Sequence, residues 1–142
     1  MLRKLKAKGK GDRHKIWLKQ AEYDYQAANL SKEHNFYEWA CFQSEQAVEK
    51  ALKAVLVHAG WRAPKMHKLA VLMSYCNNAN EKFRRTKFEF RDLESFTFVS
   101  RYPFLIPGED LSPHEFITLE DAQRCINQAR AFLDKIYNLL KE

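Results

Sequence analysis

Between Cys41 and Gly60 the chain reads CFQSEQAVEKALKAVLVHAG, a run of helical spacing whose apolar residues occupy nearly every side of the axis. Phe42, Val48, Leu52, Val55, Leu56 and Ala59 wind around it, and Ala40, Cys41, Ala47, Ala51 and Ala54 fill much of the remaining surface. A helix that is apolar on most faces has to be buried. The same run carries Gln43, Gln46, Glu49, Lys50 and Lys53. Ionised groups enter a protein interior only when they are paired or used. Any fold for this chain must therefore bury this helix and find partners for its charges.

The helical period extends along the rest of the sequence. Ile16, Trp17, Ala21, Tyr23, Ala27, Ala28 and Leu30 predict a first helix ending near Lys32, with Asp12 positioned to cap its start. The polar SKEHN connects it to the second helix. Asn35 followed by Glu38 has the spacing of a capping box, and Gly60 is a natural C-terminal stop. WRAPK forms a loop, HKLAVLMSYC a shorter third helix, and NNAN its end and the next cap. A fourth helix is expected from about Glu81 to Ser100, with Phe83, Phe90, Leu93, Phe96 or Thr97, and Val99 on its apolar side. Arg101-Tyr102-Pro103 stops it, because proline keeps the preceding residue out of the helical region. FLIPGEDLSPHEFI is a long loop of the kind that often carries function. Thr118 with Asp121 opens the last helix, whose apolar positions run from Ala122 to Leu140. No segment alternates with period two, and there is no internal repeat. The expectation is an all-α, antiparallel up-and-down bundle of four main helices plus one short helix.

A chain of 142 residues fits one domain with a single core. Its net charge of +6 is unevenly placed: residues 1–19 hold eight Lys/Arg against Asp12 alone, a charge of +7, which leaves the remaining body at −1. Such a basic arm attracts nucleic acid by releasing counterions, or it is a solvated leader with no partner. The chain divides into a flexible basic leader, 1–13, and a helical domain, 14–142. A smaller basic cluster, Lys82, Arg84, Arg85, Lys87 and Arg91, is interleaved with Phe83, Phe88 and Phe90, aromatics expected to face the core. No apolar run approaches the roughly 18 residues that cross a membrane, and no signal-peptide core follows the basic start. Cys41, Cys76 and Cys125 are scattered without C-x-x-C spacing, as befits free thiols in a reducing cytoplasm. The histidines lack H-x-x-x-H spacing, so neither a metal nor a cofactor is expected.

Four pieces together carry a resemblance. They are Trp17-x-x-x-Ala21-x-x-Asp24-x-x-x-Ala28, Phe42-x-x-x-Gln46-Ala47-x-Glu49-Lys50-x-x-Lys53-Ala54, His67-x-Leu69, and Ser100-Arg101-Tyr102-Pro103. Their order and spacing resemble the HEPN domain family (higher eukaryotes and prokaryotes nucleotide-binding) over about residues 14–140. The resemblance implies an up-and-down helical bundle, usually a homodimer, often working beside a minimal nucleotidyltransferase encoded next door. Many members of that family are toxins or defence RNases. Others bind nucleotides or nucleic acid without catalysis, and a few larger chaperone-like proteins end in such a domain.

The RNase branch of the family carries Arg, four to six residues, then His near the end of the fourth helix. There the His acts as general base or acid on the 2′-OH or the leaving oxygen, and the Arg stabilises phosphate charge. Arg101 stands in the family's Arg position, but Ile106, Pro107 and Gly108 stand where the His belongs. The next histidine is His114, with twelve residues between. Arg62 and His67 match the spacing, yet they lie in the loop before the third helix. There His67 reads as a helix-start residue that bonds a backbone group or lines a groove.

Gln46, Glu49, Lys50 and Lys53 form one broad stripe on the second helix, with Glu49 and Lys53 in the favourable i, i+4 order. The stripe is a structural polar network, or it lines a groove with His67, Arg101 and Tyr102, or it is a solvated face. Asp24 anchors Lys50 or Arg101, or faces water. Tyr102 reads as an aromatic plug for the bundle end. The missing His favours a non-catalytic homodimer that binds nucleotide or nucleic acid, or that docks a nucleotidyltransferase in a toxin–antitoxin or defence setting. Two further readings stay open: a metal-independent RNase toxin using Arg101 with His114 or His67, and a structural dimerisation module.

Overall fold

The apolar run becomes the spine of the bundle. The computed structural model describes residues 10–141, and within them the helices are α1 (Lys10–Glu33), α2 (Tyr37–His58), α3 (Leu69–Ala79), α4 (Glu81–Arg84), α5 (Arg91–Val99), α6 (Pro113–Phe116) and α7 (Leu119–Leu140). No strand occurs among the described residues. α2 packs against α1, α3, α5 and α7. Accordingly Ala40, Cys41, Ala47, Val48, Ala51, Leu52, Ala54, Val55 and Leu56 are all fully buried. α7 contributes Ala122, Cys125, Ala129, Phe132, Leu133 and Ile136 to the same core. All three cysteines are buried free thiols. No helix among the described residues is long and apolar enough to cross a membrane.

The helix ends follow local chemistry, with three departures from expectation. At the start, α1 is already helical at Lys10, so Asp12 lies inside the first turn, where it pairs with Lys15 at 3.5 Å. The leader expected over 1–13 is thus helix from Lys10 onward, and its first nine residues lie outside the described residues. At the other end of α1, the Asn35–Glu38 capping box is not made. Asn35 adopts a φ of +68°, and its N–H and that of Phe36 reach back to the carbonyls of Lys32 and Ser31 at 3.1 and 2.8 Å. This is a left-handed helix stop, which Asn tolerates better than most residues. Gly60 closes α2 in the same way at φ +98°, as its sequence position suggests.

The third departure is a break in the expected fourth helix. Asn80 caps α4 by accepting from the Phe83 N–H, but the helix ends at Arg84 and resumes only at Arg91. In one continuous helix Phe83 and Phe88 would point to different sides, since five residues turn the chain by about 140° beyond a full turn. Instead the break lets Phe83 stack on Phe88 at 4.6 Å, and Phe88 on Phe132 of α7 at 4.3 Å. Buried aromatic area decides the backbone path here. Beyond Arg101-Tyr102-Pro103 the long loop folds into two 3-10 turns and α6, which carries a full capping box between Ser112 and Glu115. Buried Ile106, Pro113 and Ile117 fasten it to the bundle. A second capping box, Thr118 with Asp121, opens α7 as expected.

Candidate functional site

How α2 tolerates its ionised side chains is visible in where each one ends. Glu49 is 4% exposed and Lys53 5%. Lys53 Nζ donates to Glu49 Oε2 at 3.0 Å, and the ammonium also lies 5.9 Å from the centre of the Trp17 ring. His67, in the approach to α3, places Nδ1 3.0 Å from the same Glu49 oxygen. Gln46 Nε2 donates to Glu49 Oε1 at 3.3 Å and to Glu45 Oε1 at 2.9 Å. Lys50 turns the other way and donates to Asp24 Oδ2 on α1 at 2.6 Å. The stripe is therefore a bonded network joining α1, α2 and the α3 approach, and a solvated face is excluded.

Arg101 stands where the chain leaves α5. Its Nε donates to the Thr97 carbonyl at 3.1 Å, which fixes the side chain along the helix end. The guanidinium carbon lies 4.5 Å from the centre of the Phe42 ring, 5.3 Å from Phe98 and 5.2 Å from Tyr102. No carboxylate among the described residues forms an ion pair with it. A cation held over aromatic faces is attracted by their quadrupoles without being neutralised. Its hydrogen-bonding fork remains largely free.

Arg101 borders a cavity of about 660 Å³. α2 supplies Phe42, Glu45, Gln46 and Glu49 to its wall, the α3 approach supplies His67 to Ala70, and α5 supplies Glu94, Thr97 and Phe98. The size and the mixture of aromatic walls with a few polar groups suit a small ligand or part of a larger one. Glu45 is the unusual wall residue. It is 1% exposed, and burial pushes its carboxyl up to about 7. The Gln46 hydrogen bond pulls it back, the neighbouring Glu49 charge pushes it further up, and the Arg101 and Lys50 charges again oppose the rise. Near neutral pH it is thus divided between acid and carboxylate.

The structure brings Gln46, Glu49, His67 and Arg101 to one cavity wall. Lys50 and Lys53 belong to the network behind that wall and are occupied by Asp24 and Glu49. Tyr102 does not plug the bundle end: it is 40% exposed, with its ring beside Arg101 on one side and 5.6 Å from Phe104 on the other. His114 is elsewhere. Its Nδ1 sits between both oxygens of Glu38, at 2.9 and 3.0 Å, near the start of α2, and it does not line the cavity. Sequence reasoning missed Glu45 and Phe98 as site residues. Both had a signal: Glu45 is a carboxylate inside the most apolar run of the chain, and Phe98 precedes Arg101 by one helical turn.

Comparison with known proteins bears on the family and the fold. The HEPN domain family model matches residues 14–139. MJ1304 of Methanocaldococcus jannaschii, provisionally named a toxin, is 31% identical over 134 residues, covering 90% of this chain and 88% of that protein. Human sacsin is 24% identical over 129 residues, which cover 89% of this chain but 3% of sacsin. The crystal structure of ST0689, described as an archaeal HEPN homologue, shares 31% identity with a TM-score of 0.65, covering 91% of this chain and 98% of that one. TT1696 of Thermus thermophilus shares the fold, with a TM-score of 0.74 at 23% identity, covering 89% of this chain and 98% of that one. By its helical order, its Arg101 corner and a family match over most of its length, the chain belongs to the HEPN domain family.

Proposed function

We propose that the protein is a non-catalytic HEPN binding protein that takes a phosphate-bearing nucleotide group in the cavity between α2, α3 and α5. The observation that carries this reading is Arg101, a guanidinium fixed over three aromatic rings and left without a carboxylate partner. Its free fork matches phosphate geometry. Phe42 and Phe98 offer flat faces to a base, and Glu45 with Gln46 offers polar groups deeper in the wall. His114, engaged by Glu38, lies outside the cavity, so the histidine that follows Arg101 in the chain does not stand beside it. The test is a thermal-shift titration of wild type and Arg101→Ala with ATP, GTP and a short mixed RNA. A ligand at about 100 times its dissociation constant adds roughly 2.7 kcal/mol to stability. Stabilisation of wild type by at least one ligand, absent in Arg101→Ala, is the expected result. Equal stabilisation of both proteins removes Arg101 from the site.

One observation favours a second reading, that of an RNase. His67 lies in the same cavity as Arg101 and is oriented by buried Glu49, as a general base would be. That reading requires metal-independent cleavage of RNA that is lost in both His67→Ala and Arg101→Ala. Cleavage that survives both changes excludes it.

The exposed rings around the site, Trp39, Phe98, Tyr102 and Phe104, supply apolar area for a homodimer or for a nucleotidyltransferase partner. Sedimentation of wild type against Trp39→Glu tests the dimer. Buried reduced cysteines fit work in a reducing cytoplasm.

A further inference from the structure

α1 carries apolar residues on two faces. The inner face, with Leu18, Ala21 and Ala28 buried, packs against α2 and α7. The outer face carries Ile16, Tyr23 and Leu30, which are 62%, 51% and 56% exposed. They recur every seven residues, and a helix drifts by only about 20° over seven residues, so the three side chains share one narrow stripe. Half-buried Ala27 and exposed Gln20 and Gln26 border it. The stripe runs for about 21 Å at 1.5 Å per residue. α1 supplies no residue to the cavity wall, so this surface is separate from the candidate site.

The stripe is spaced evenly about Tyr23, and the charge on either side of Tyr23 is equal and opposite. Residues 12–20 carry Arg13, Lys15 and Lys19 against Asp12, a charge of +2. Residues 22–33 carry Glu22, Asp24 and Glu33 against Lys32, a charge of −2. Some of these groups are engaged within the chain. Glu22 pairs with Arg130 at 2.9 Å and Asp24 with Lys50 at 2.6 Å, and Lys32 donates to Gln123 at 2.8 Å. Asp12 and Lys15 meet at 3.5 Å with both side chains largely exposed. Arg13, Lys19 and the exposed Glu33 enter no ion pair among the described residues.

An apolar stripe with this symmetry fits its own copy turned end for end. We propose that the outer face of α1 is an interface between two copies of this chain, packed antiparallel about a two-fold axis at Tyr23. The axis sets Tyr23 on the partner's Tyr23 and Ile16 against the partner's Leu30, the self-complementary pattern that a two-fold contact requires. It also brings Glu33 level with the partner's Arg13, about 3 Å along the helix from the partner's Lys15. A parallel pairing would instead set Lys19 beside Lys19 and Glu33 beside Glu33. One helix face on another buries on the order of 500 Å² a side, short of the roughly 800 Å² of a standard interface, so association falls in the micromolar range. The exposed rings around the site, Trp39, Phe98, Tyr102 and Phe104, belong to α2, α5 and the loop after it. A protomer that uses both surfaces therefore assembles beyond a dimer.

The test is positional cysteine cross-linking, which the fold allows because Cys41, Cys76 and Cys125 are all buried. Helix axes about 8–10 Å apart bring facing Cα atoms to about 5 Å, within disulfide reach. Under mild oxidation Tyr23→Cys alone gives a covalent dimer. Ile16→Cys alone does not, because its twin lies about 21 Å away along the helix. Leu30→Cys alone does not either, but an equimolar mixture of those two variants does. Ile16→Cys or Leu30→Cys joining to itself overturns the antiparallel arrangement. Absence of any cross-link from Tyr23→Cys overturns the interface. Sedimentation gives the second readout, in Trp39→Glu protein so that the rings around the site are out of play. Its average mass still rises from monomer toward dimer with concentration, and adding Tyr23→Glu weakens that association about tenfold or more. Tyr23 is exposed, so circular dichroism of this variant stays that of wild type. A Trp39→Glu protein that is monomeric at every concentration, or a Tyr23→Glu change without effect, overturns the interface and leaves the Arg101 reading standing.

Discussion

Arg101 and Arg130 are laid over aromatic rings at nearly the same distance, 4.5 Å above Phe42 and 4.6 Å above Tyr25, and there the likeness ends. Arg130 on α7 donates to Glu22 at 2.9 Å and to Asp134 at 3.0 Å, and Glu22 also receives the Tyr137 hydroxyl at 3.0 Å. Every strong donor in that cluster has an acceptor within the chain, and the cluster clamps α1 to α7. Arg101 has one backbone carbonyl. The carboxylates beside the two arginines diverge accordingly. At Glu22, burial works against the charge, but the Arg130 and Tyr137 hydrogen bonds prevail and hold its carboxyl below the ordinary value. At Glu45, burial prevails and Arg101 opposes it only at a distance. A folded chain satisfies its own structural charges. Where one is left unsatisfied beside a cavity, something outside the chain is the natural partner.

The strongest way to break this contrast is to empty a charge from each side. Glu49→Ala strands the 5%-exposed Lys53 without its counter-ion, and losing one member of a buried pair costs about 3–5 kcal/mol. Glu22→Ala removes a partly exposed partner of Arg130 and is expected to cost about 1 kcal/mol or less. Urea unfolding of the two variants measures both. Equal losses would mean that the α2 network is no more buried in solution than the α1–α7 clamp.

The two carboxylates also predict opposite pH behaviour. Glu45 binds its proton more tightly folded than unfolded, so the folded state is favoured at low pH. Its contribution is lost as pH rises from the ordinary carboxylate value of 4.5 to about 7. A shift of that size is worth about 3 kcal/mol. Glu22 has the reverse sign: its contribution is present above the ordinary carboxylate range and is lost as pH falls through its lowered value. The difference in unfolding free energy between wild type and Glu45→Gln, followed from pH 4 to 8, isolates the first effect. A flat difference shows that Glu45 is solvated. With a ligand phosphate at Arg101, the opposition to Glu45 protonation weakens, so from pH 6 to pH 8 wild-type affinity falls relative to that of Glu45→Gln.

How much of this was legible in the sequence depended on whether the cause was local. Period and caps near in sequence gave the bundle, the Gly60 stop, the Thr118–Asp121 box and the Glu49–Lys53 pair. They failed where a distant contact outweighed local chemistry. Phe132 on α7 draws Phe88 inward and breaks the expected helix over 81–100. At Glu38 the distant His114 takes the carboxylate, while Asn35 stops α1 at positive φ and leaves the N-cap of α2 to Phe36. The site divided along the same line. Gln46, Glu49, His67 and Arg101 could be gathered from the resemblance. Glu45 lies outside the motifs of that resemblance, and its one signal is that it is a carboxylate inside the most apolar run of the chain.

A direct exchange sharpens the contrast between the arginines. Arg101→Ala is expected to weaken nucleotide binding tenfold to a hundredfold, equivalent to about 1.4–2.8 kcal/mol, through loss of charge-assisted hydrogen bonds to phosphate. Its effect on stability is small, since no internal ion pair is broken. Arg130→Ala should do the opposite: unchanged binding, with a lowered urea midpoint. Isothermal titration beside urea unfolding separates the two. If both variants lose binding in proportion to stability, Arg101 is a structural residue like Arg130.

The smallest effect expected on binding belongs to His114, and it bears on what kind of HEPN protein this is. Its side chain is 52% exposed and meets Glu38 at 2.9 Å. Glu38 is buried, so His114→Ala leaves a buried acceptor unpaired and should lower stability by about 1–3 kcal/mol. It should leave nucleotide affinity untouched, because His114 does not line the Arg101 cavity. A His114→Ala variant that loses binding or an RNA-cleaving activity as fully as Arg101→Ala does would show that the loop swings α6 toward α5 in the working protein. The contrast would then run between two states of one site, and Arg101 would have its histidine after all.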